Sequence, residues 1–506
     1  MPTLGQQRID SLGLGVLVGL LVLAAAAGLL APQLFPWSIL ALAAGALVLY
    51  WAVKWEITVW AWVWVLSYGL LDRPFWVLEI PGFFNMTIPR LIFVAATVAF
   101  VLHFALRNSP VVFNRPVVWA LAALTACCAA SATAAGWVAE DSPIASAPYF
   151  RFLGSLLMPL VMFFLVLNAT RNPRQVHWAL LMLSVYGWYA LYIAYLQYTA
   201  IMGAEGARAF IWPSYINQPS WGPTYGIHFD RARGAYTMCN PQALLLVAVF
   251  YGDLFLFRKI HGPYRAALAI QAILIPPAIF FTGLRSAYVG FLAAGAIWLL
   301  WSGPGRLGKA KLAVVALAVV IAAAALWENL AQENRATGGV AQKSPIVGRQ
   351  VLAKRSLVIF TEHPLFGAGF GHYLEAEHKL QSDPSELTQL STGLATPHNL
   401  FLVMLAETGL VGVVCVLAVI AALLRETIGL YRKLPRGGQG TLSRDFVVFF
   451  WSAAAAYFID TMLVDPLWDA ASSAMFWTLA GLVVGFNRLL EWHPLELPAS
   501  SPVPAA

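Results

Sequence analysis

The chain is short of charge and of cysteine. Charged residues fill 11% of its 506 positions, whereas soluble globular domains carry roughly 25%. Hydrophobic residues make up 60%, and the mean hydropathy is +0.72. That balance excludes an ordinary soluble enzyme. No polar stretch is longer than residues 328–396, so several soluble domains are excluded too. The four cysteines, Cys127, Cys128, Cys239 and Cys415, all lie in or beside apolar runs. No disulfide and no cysteine-based metal site is expected from them. A cleavable signal is also missing from the reading. The apolar run at 12–30 is long and lacks a convincing small-residue cleavage site, so it predicts an uncleaved first helix. The net charge of +7 is read through its placement along the chain, and no nucleic-acid partner is expected.

What the chain has in quantity is apolar runs near the roughly 20 residues that cross a hydrocarbon core. Candidate spans fall at 11–31, 35–53, 55–71, 89–106, 116–138, 150–169, 177–200, 236–257, 266–284, 286–302, 312–327, 397–424, 446–464 and 468–487. Pro276-Pro277 is expected to break or kink the span at 266–284. The fold class is therefore an all-α polytopic membrane protein of about 12–14 transmembrane helices with one long periplasmic loop. Alternate connections are basic: Lys54; Arg107 and Arg115; Arg171 and Arg174; Arg258, Lys259 and Arg265; Arg306, Lys309 and Lys311; then Arg425 through Arg444. The connections between them at 32–34, 139–149 and 465–467 carry no Lys or Arg. The positive-inside rule then puts both termini in the cytoplasm.

Some cations fall on the other surface. Arg285, in TGLRSAYVG, has apolar helix on both sides and almost no loop, which marks it as a functional candidate. Its planar donor fork suits a diphosphate. Arg231 and Arg233, in RARGAYTMCNPQ, precede the next span; residues two apart do not share a helix face, so one of the two is expected to face a pocket. In the long loop, Val351, Leu352, Leu357, Val358 and Phe360 alternate with Arg349, Lys354 and Arg355, a pattern that fits an interfacial helix on the membrane. His363 reads as structural. His372 and His378, with Glu375 and Glu377 between them, read as a solvated helix face rather than a metal site. His398, at the mouth of the long apolar run LATPHNLFLVMLAETGLVG, is a side chain that serves as a base near neutrality without tuning. Glu407 lies nine residues on, about 13 Å deeper along a straight helix and near the midplane, on the opposite face. Asp460 and Asp465 end the span at 446–464 and can orient a base or an arginine.

Together HPLFGAGFG, the polar spacer and PHNLFLVMLAETGLVG resemble the C-terminal signature of the O-antigen ligase and Wzy-type polymerase family. TGLRSAYVG resembles its arginine-bearing hairpin, and RARGAYTMCNPQ its upstream arginine-glycine-asparagine-proline motif. The resemblance covers roughly residues 150–487 and is most specific at the His-Asn helix. It implies metal-independent, inverting transfer of a glycan from undecaprenyl diphosphate at the periplasmic face of the bacterial inner membrane, with no cofactor. The family's histidine falls on His398, its hairpin arginine on Arg285, and its upstream arginine on Arg231 or Arg233. Asn399, Glu407 and Asp460 are supporting candidates. The acceptor would be lipid A-core for a ligase or a second lipid-linked repeat unit for a polymerase. A transporter of the same lipid-linked glycan is the reading from another class, prompted by Pro276-Pro277 and a midplane Glu407. The expected organisation is N-terminal helices at 1–149, helices with arginine-bearing turns at 150–327, the loop at 328–396, C-terminal helices at 397–487 and a cytoplasmic tail at 488–506.

Overall fold

A computed structural model of the chain describes residues 57–71, 77–78, 86–107, 111–138, 148–210, 231–236, 238–302, 344–381, 397–435, 442–463 and 469–492. Thirteen α-helices lie in these residues. They are α1 Ile57–Leu70, α2 Ile88–Arg107, α3 Pro116–Ala135, α4 Pro148–Ala169, α5 Arg174–Ile201, α6 Cys239–Phe257 and α7 Pro263–Phe281. They continue with α8 Arg285–Trp301, α9 Ser344–Glu362, α10 Tyr373–Gln381, α11 Leu400–Lys433, α12 Arg444–Thr461 and α13 Ala470–Trp492. A two-residue antiparallel pair, β1 Val77–Leu78 and β2 Met86–Thr87, precedes α2. Eight of the helices are long and apolar enough to cross a membrane, and α1 and α8 are shorter apolar helices. The protein is an all-α polytopic membrane protein. The expected spans at 11–31, 35–53 and 312–327 lie outside the described residues.

Local chemistry sets the helix ends. Proline stands in the first turn of α3 and α7, where its missing N–H costs nothing. Asn399 caps α11 by accepting from the Leu402 amide at 3.1 Å. Central α6 and α13 have 83% and 89% of their apolar windows buried, so neighbours surround them on all sides. The peripheral α2 instead exposes Leu91, Val94, Val98 and Val101, an i, i+3, i+7, i+10 stripe that lipid would cover. α11 carries a similar stripe at Leu410, Val414, Leu417, Leu424 and Ile428.

Three expectations change. α7 runs unbroken through Pro276 and Pro277; in the same turn the Tyr195 hydroxyl of α5 donates to the Leu274 carbonyl at 3.1 Å. α9 is not a free interfacial helix. Arg355, expected on its polar face, is buried and paired with the buried Glu377 of α10, and α9 packs on α11.

The third change concerns α11, which is interrupted at Gly409 (φ 64°, ψ −159°). The amides of Leu410 and Val411 donate to the carbonyls of Pro364 (3.0 Å) and Leu365 (3.2 Å). In return, the amides of Ala368 and Gly369 donate to the carbonyls of Ala406 (2.8 Å) and Glu407 (3.0 Å). HPLFGAGFG is thus spliced into the break and satisfies the backbone groups it frees. Residues 410–433 alone extend about 36 Å at 1.5 Å per residue, enough for a core of roughly 30 Å. Ser131, one turn before the end of α3, donates to the Glu407 carbonyl at 3.2 Å. Glu407 therefore sits near one end of the bundle and not at its midplane.

Candidate active site

The end of α12 gathers side chains from four other elements. Asp460, buried there, accepts from Asn240 Nδ2 on both carboxylate oxygens, at 3.0 and 3.3 Å, and from the Ser286 hydroxyl. Asn240 opens α6 and Ser286 follows Arg285 at the start of α8. One carboxylate therefore fixes the entries of both arginine-bearing elements. Two residues further on, the Met462 carbonyl accepts from Asn399 Nδ2 at 3.0 Å, and the Leu463 carbonyl accepts from Arg349 Nη2 at 3.2 Å. His398 is thereby anchored through its neighbour to the turn that holds Asp460.

The arginine turn before α6 is held by α5. Gln197 Oε1 accepts from the amides of Arg233 (3.0 Å) and Gly234 (2.8 Å), and its Nε2 donates to the Gly234 carbonyl at 2.7 Å. Gly234 adopts φ 65°, and a side chain there would run into Gln242. The Ala232 amide donates to the Phe281 carbonyl at 2.9 Å, tying the turn to the end of α7. Arg231 then lies across Gly283 of the TGLR hairpin, where a built Cβ would meet its Cδ at 3.1 Å. Its guanidinium approaches the Cys239 sulfur at 3.9 Å and lies within electrostatic reach of Arg285. Arg233 is more deeply buried, and desolvation pushes its guanidinium down to about 10, partly offset by the Cys239 thiol. Of the two, Arg231 is the one that lies over the hairpin glycine and acts electrostatically on Arg285.

His398 adopts φ 48°, the one left-handed non-glycine residue among the described residues. Such a conformation persists when surrounding contacts over-determine it, and it clusters at active sites. Burial, and then the Arg349 charge, hold its imidazole below the ordinary value of 6.5. It is neutral at pH 7, as a proton acceptor must be.

Five of the expected site residues, His398, Asn399, Arg285, Arg231 and Asp460, are brought to one place. Glu407 is elsewhere: it pairs with Arg151 of α4 at 2.6 Å, both fully buried, and braces the splice. Neither Arg151 nor Arg349 was singled out from the sequence. The signal for Arg151 was a boundary arginine and an intramembrane carboxylate in different spans, each needing a partner. His372 is not on a solvated face. It is buried, with Nδ1 2.9 Å from Glu375 Oε2 and Nε2 2.8 Å from the Gly136 carbonyl. The side chain of His378 and all of Asp465 lie outside the described residues.

Residues 269–417 match the family model described as O-antigen ligase. That segment is similar to the O-antigen ligase/Wzy-type family. No curated protein matches the chain. The matched part runs from α7 through the Arg285 hairpin, α9, the splice and His398 into α11. Arg231, Asn240 and Asp460 lie outside the match, yet the fold brings them onto it. The match supports a membrane glycosyltransferase of the O-antigen ligase/polymerase type.

Proposed function

We propose that the protein transfers a glycan from undecaprenyl diphosphate to an acceptor hydroxyl at the periplasmic face of the bacterial inner membrane. The observation that carries this reading is a backbone-strained His398 anchored through Asn399 beside the turn whose Asp460 holds the entries of the elements that carry Arg231 and Arg285. In the reaction the acceptor oxygen attacks the anomeric carbon and its proton passes to the imidazole of His398. The bond from that carbon to the diphosphate oxygen breaks, with inversion, and undecaprenyl diphosphate departs. Arg285 and Arg231 bind the diphosphate and stabilise the charge that grows on the leaving oxygen. Asp460 acts on the chain rather than the substrate, by holding Asn240 and Ser286 and hence both arginines.

The test is transfer by purified protein from a synthetic undecaprenyl-diphosphate glycan, with and without lipid A-core, compared with His398→Ala. Transfer to lipid A-core that His398→Ala abolishes identifies a ligase. Elongation of the donor without that acceptor identifies a polymerase. Equal turnover by the variant would remove His398 as the base. No turnover with any acceptor would return the lipid-linked glycan transporter to the front.

A further inference from the structure

The end of the bundle remote from His398 holds a second cluster of charges. Arg115 at the entry of α3 meets Glu426 and Lys433 of α11 and Glu491 of α13 there. Both carboxylates are already paired. Glu426 accepts from Arg115 at 3.4 Å and from Asn487 at 2.5 Å, and Glu491 accepts from Arg115 at 2.6 Å and Lys433 at 2.8 Å. Two further guanidiniums converge beside that network. Gly485 of α13 lies so close to the end of α4 that a side chain there would collide with Thr170. The close approach lets the buried Arg488 donate to the Thr170 carbonyl at 2.9 Å. Arg171, the next residue, is exposed. Its turn is fixed, because Gln175 Oε1 accepts from the amides of Arg171 (2.8 Å) and Asn172 (3.1 Å). Arg171 and Arg115 both act electrostatically on Arg488. From these cations an aromatic wall runs toward the apolar zone. The Arg171 guanidinium lies 5.8 Å from the Phe104 ring centroid, and Phe104 packs on Phe100 at 4.2 Å. Phe113, 57% exposed, packs on Phe164 at 5.0 Å.

We propose that this corner binds the headgroup of an anionic phospholipid, in the leaflet that the positive-inside rule makes cytoplasmic. Arg171 offers a planar donor fork to the phosphodiester, and the buried Arg488 adds its charge from behind. Phe104 and Phe113 line the path of the acyl chains. The bonds of Glu426 and Glu491 go to Arg115, Lys433 and Asn487, so a phosphate arriving at Arg171 meets cations held in place. Basic pockets between transmembrane helices select anionic headgroups in this way. A zwitterionic lipid brings the same phosphate with an ammonium group, which Arg171 and Arg488 repel. The bound lipid would tie the end of α2 to the turn after α4 and to α13. This site stands at the other end of the bundle from His398 and is independent of the transfer reading.

The experiment titrates detergent-purified full-length protein with dioleoyl phosphatidylglycerol, dioleoyl phosphatidylethanolamine or inorganic phosphate. Native mass spectrometry counts the bound lipids, and thermal melts serve as a folding control. Wild type is compared with Arg171→Gln, Arg171→Lys and Arg265→Gln, the last an exposed arginine at the same end on α7. Wild type is expected to bind the first phosphatidylglycerol roughly 10- to 30-fold more tightly than phosphatidylethanolamine, as for two cations near an anionic lipid. Arg171→Gln should melt like wild type without added lipid and lose about 5-fold in affinity for phosphatidylglycerol. Arg171→Lys should recover part of that loss, and Arg265→Gln should bind as wild type does. Equal affinity of wild type for the two lipids overturns the proposal. So does an equal loss in Arg171→Gln and Arg265→Gln, which would mean attraction by the net charge of that end. Inorganic phosphate that raises the melting temperature as much as phosphatidylglycerol would make this a free-anion site and overturn the lipid assignment.

Discussion

His398 combines a conformational cost with the proposed role of base. A left-handed backbone costs an L-residue roughly 1–2 kcal/mol, and glycine adopts φ 48° without that cost. His398→Gly is therefore expected to melt at or above the wild-type temperature, a gain of up to about 1 kcal/mol, while transfer falls by about 100-fold or more. A variant that loses stability and activity together would make His398 a structural residue. The titration has a definite sign. With its folded value held below 6.5 by burial and Arg349, the imidazole binds a proton only at lower pH. Transfer should stay level from pH 8 to about 6.5 and decline below that along one acid limb, read from kcat/KM against pH.

At the scale of elements, the splice between HPLFGAGFG and the break in α11 depends on two glycines. Gly409 (φ 64°) lies against the backbone of Leu365 and Phe366, and Gly367 (φ 68°) against that of Glu407 and Thr408. A Cβ at either position meets main chain that cannot rotate away. Gly409→Ala and Gly367→Ala should each destabilise by about 2 kcal/mol or more, seen as lower melting temperatures in detergent. Gly348 lies inside α9 with open space around it, so Gly348→Ala should stabilise by roughly 0.5–1 kcal/mol. The Arg151–Glu407 pair bridges α4 and α11 with both side chains out of solvent. Glu407→Gln alone should cost about 3–5 kcal/mol by leaving a buried guanidinium without its counter-charge. The double change Arg151→Met with Glu407→Leu should recover most of it, as a double-mutant cycle would measure. The histidine signature thus has a mechanical half, the splice, and a half with a proposed chemical role, His398.

Across the whole molecule, basic side chains stand at both ends of the bundle. The end opposite the candidate site carries Arg115 bonded to Glu491 (2.6 Å) and Glu426 (3.4 Å), with Lys433 on Glu491 at 2.8 Å. By the positive-inside rule such connections are expected on the cytoplasmic side. In a chain cleared of its four native cysteines, Lys379→Cys should react with a membrane-impermeant maleimide in intact spheroplasts. Arg432→Cys should react only after permeabilisation. Reversed labelling would invert the topology and put the donor site on the cytoplasmic face.

Much of this protein could be read along the chain because a bilayer enforces simple local rules. Each span must be about 20 apolar residues long, so the lengths of the runs located the described helices whatever their packing. Arg285 stood out because a charge with no loop around it has few benign explanations. His398 stood out because it ends a polar segment at the mouth of a helix. The rest required the third dimension. Arg231 and Arg233 are equivalent two residues apart, and only the packing of Gly283 against Arg231 separates them. Glu407 seemed deep because a straight helix was assumed, and a single glycine turned it toward the end of the bundle. Arg349 looked like one basic residue on an amphipathic face, and the docking of α9 set it at the end of α12. Hydrophobic length is a local property that sequence by itself determines, whereas the convergence of charges depends on contacts between residues far apart in the chain, and the tertiary structure alone decided it.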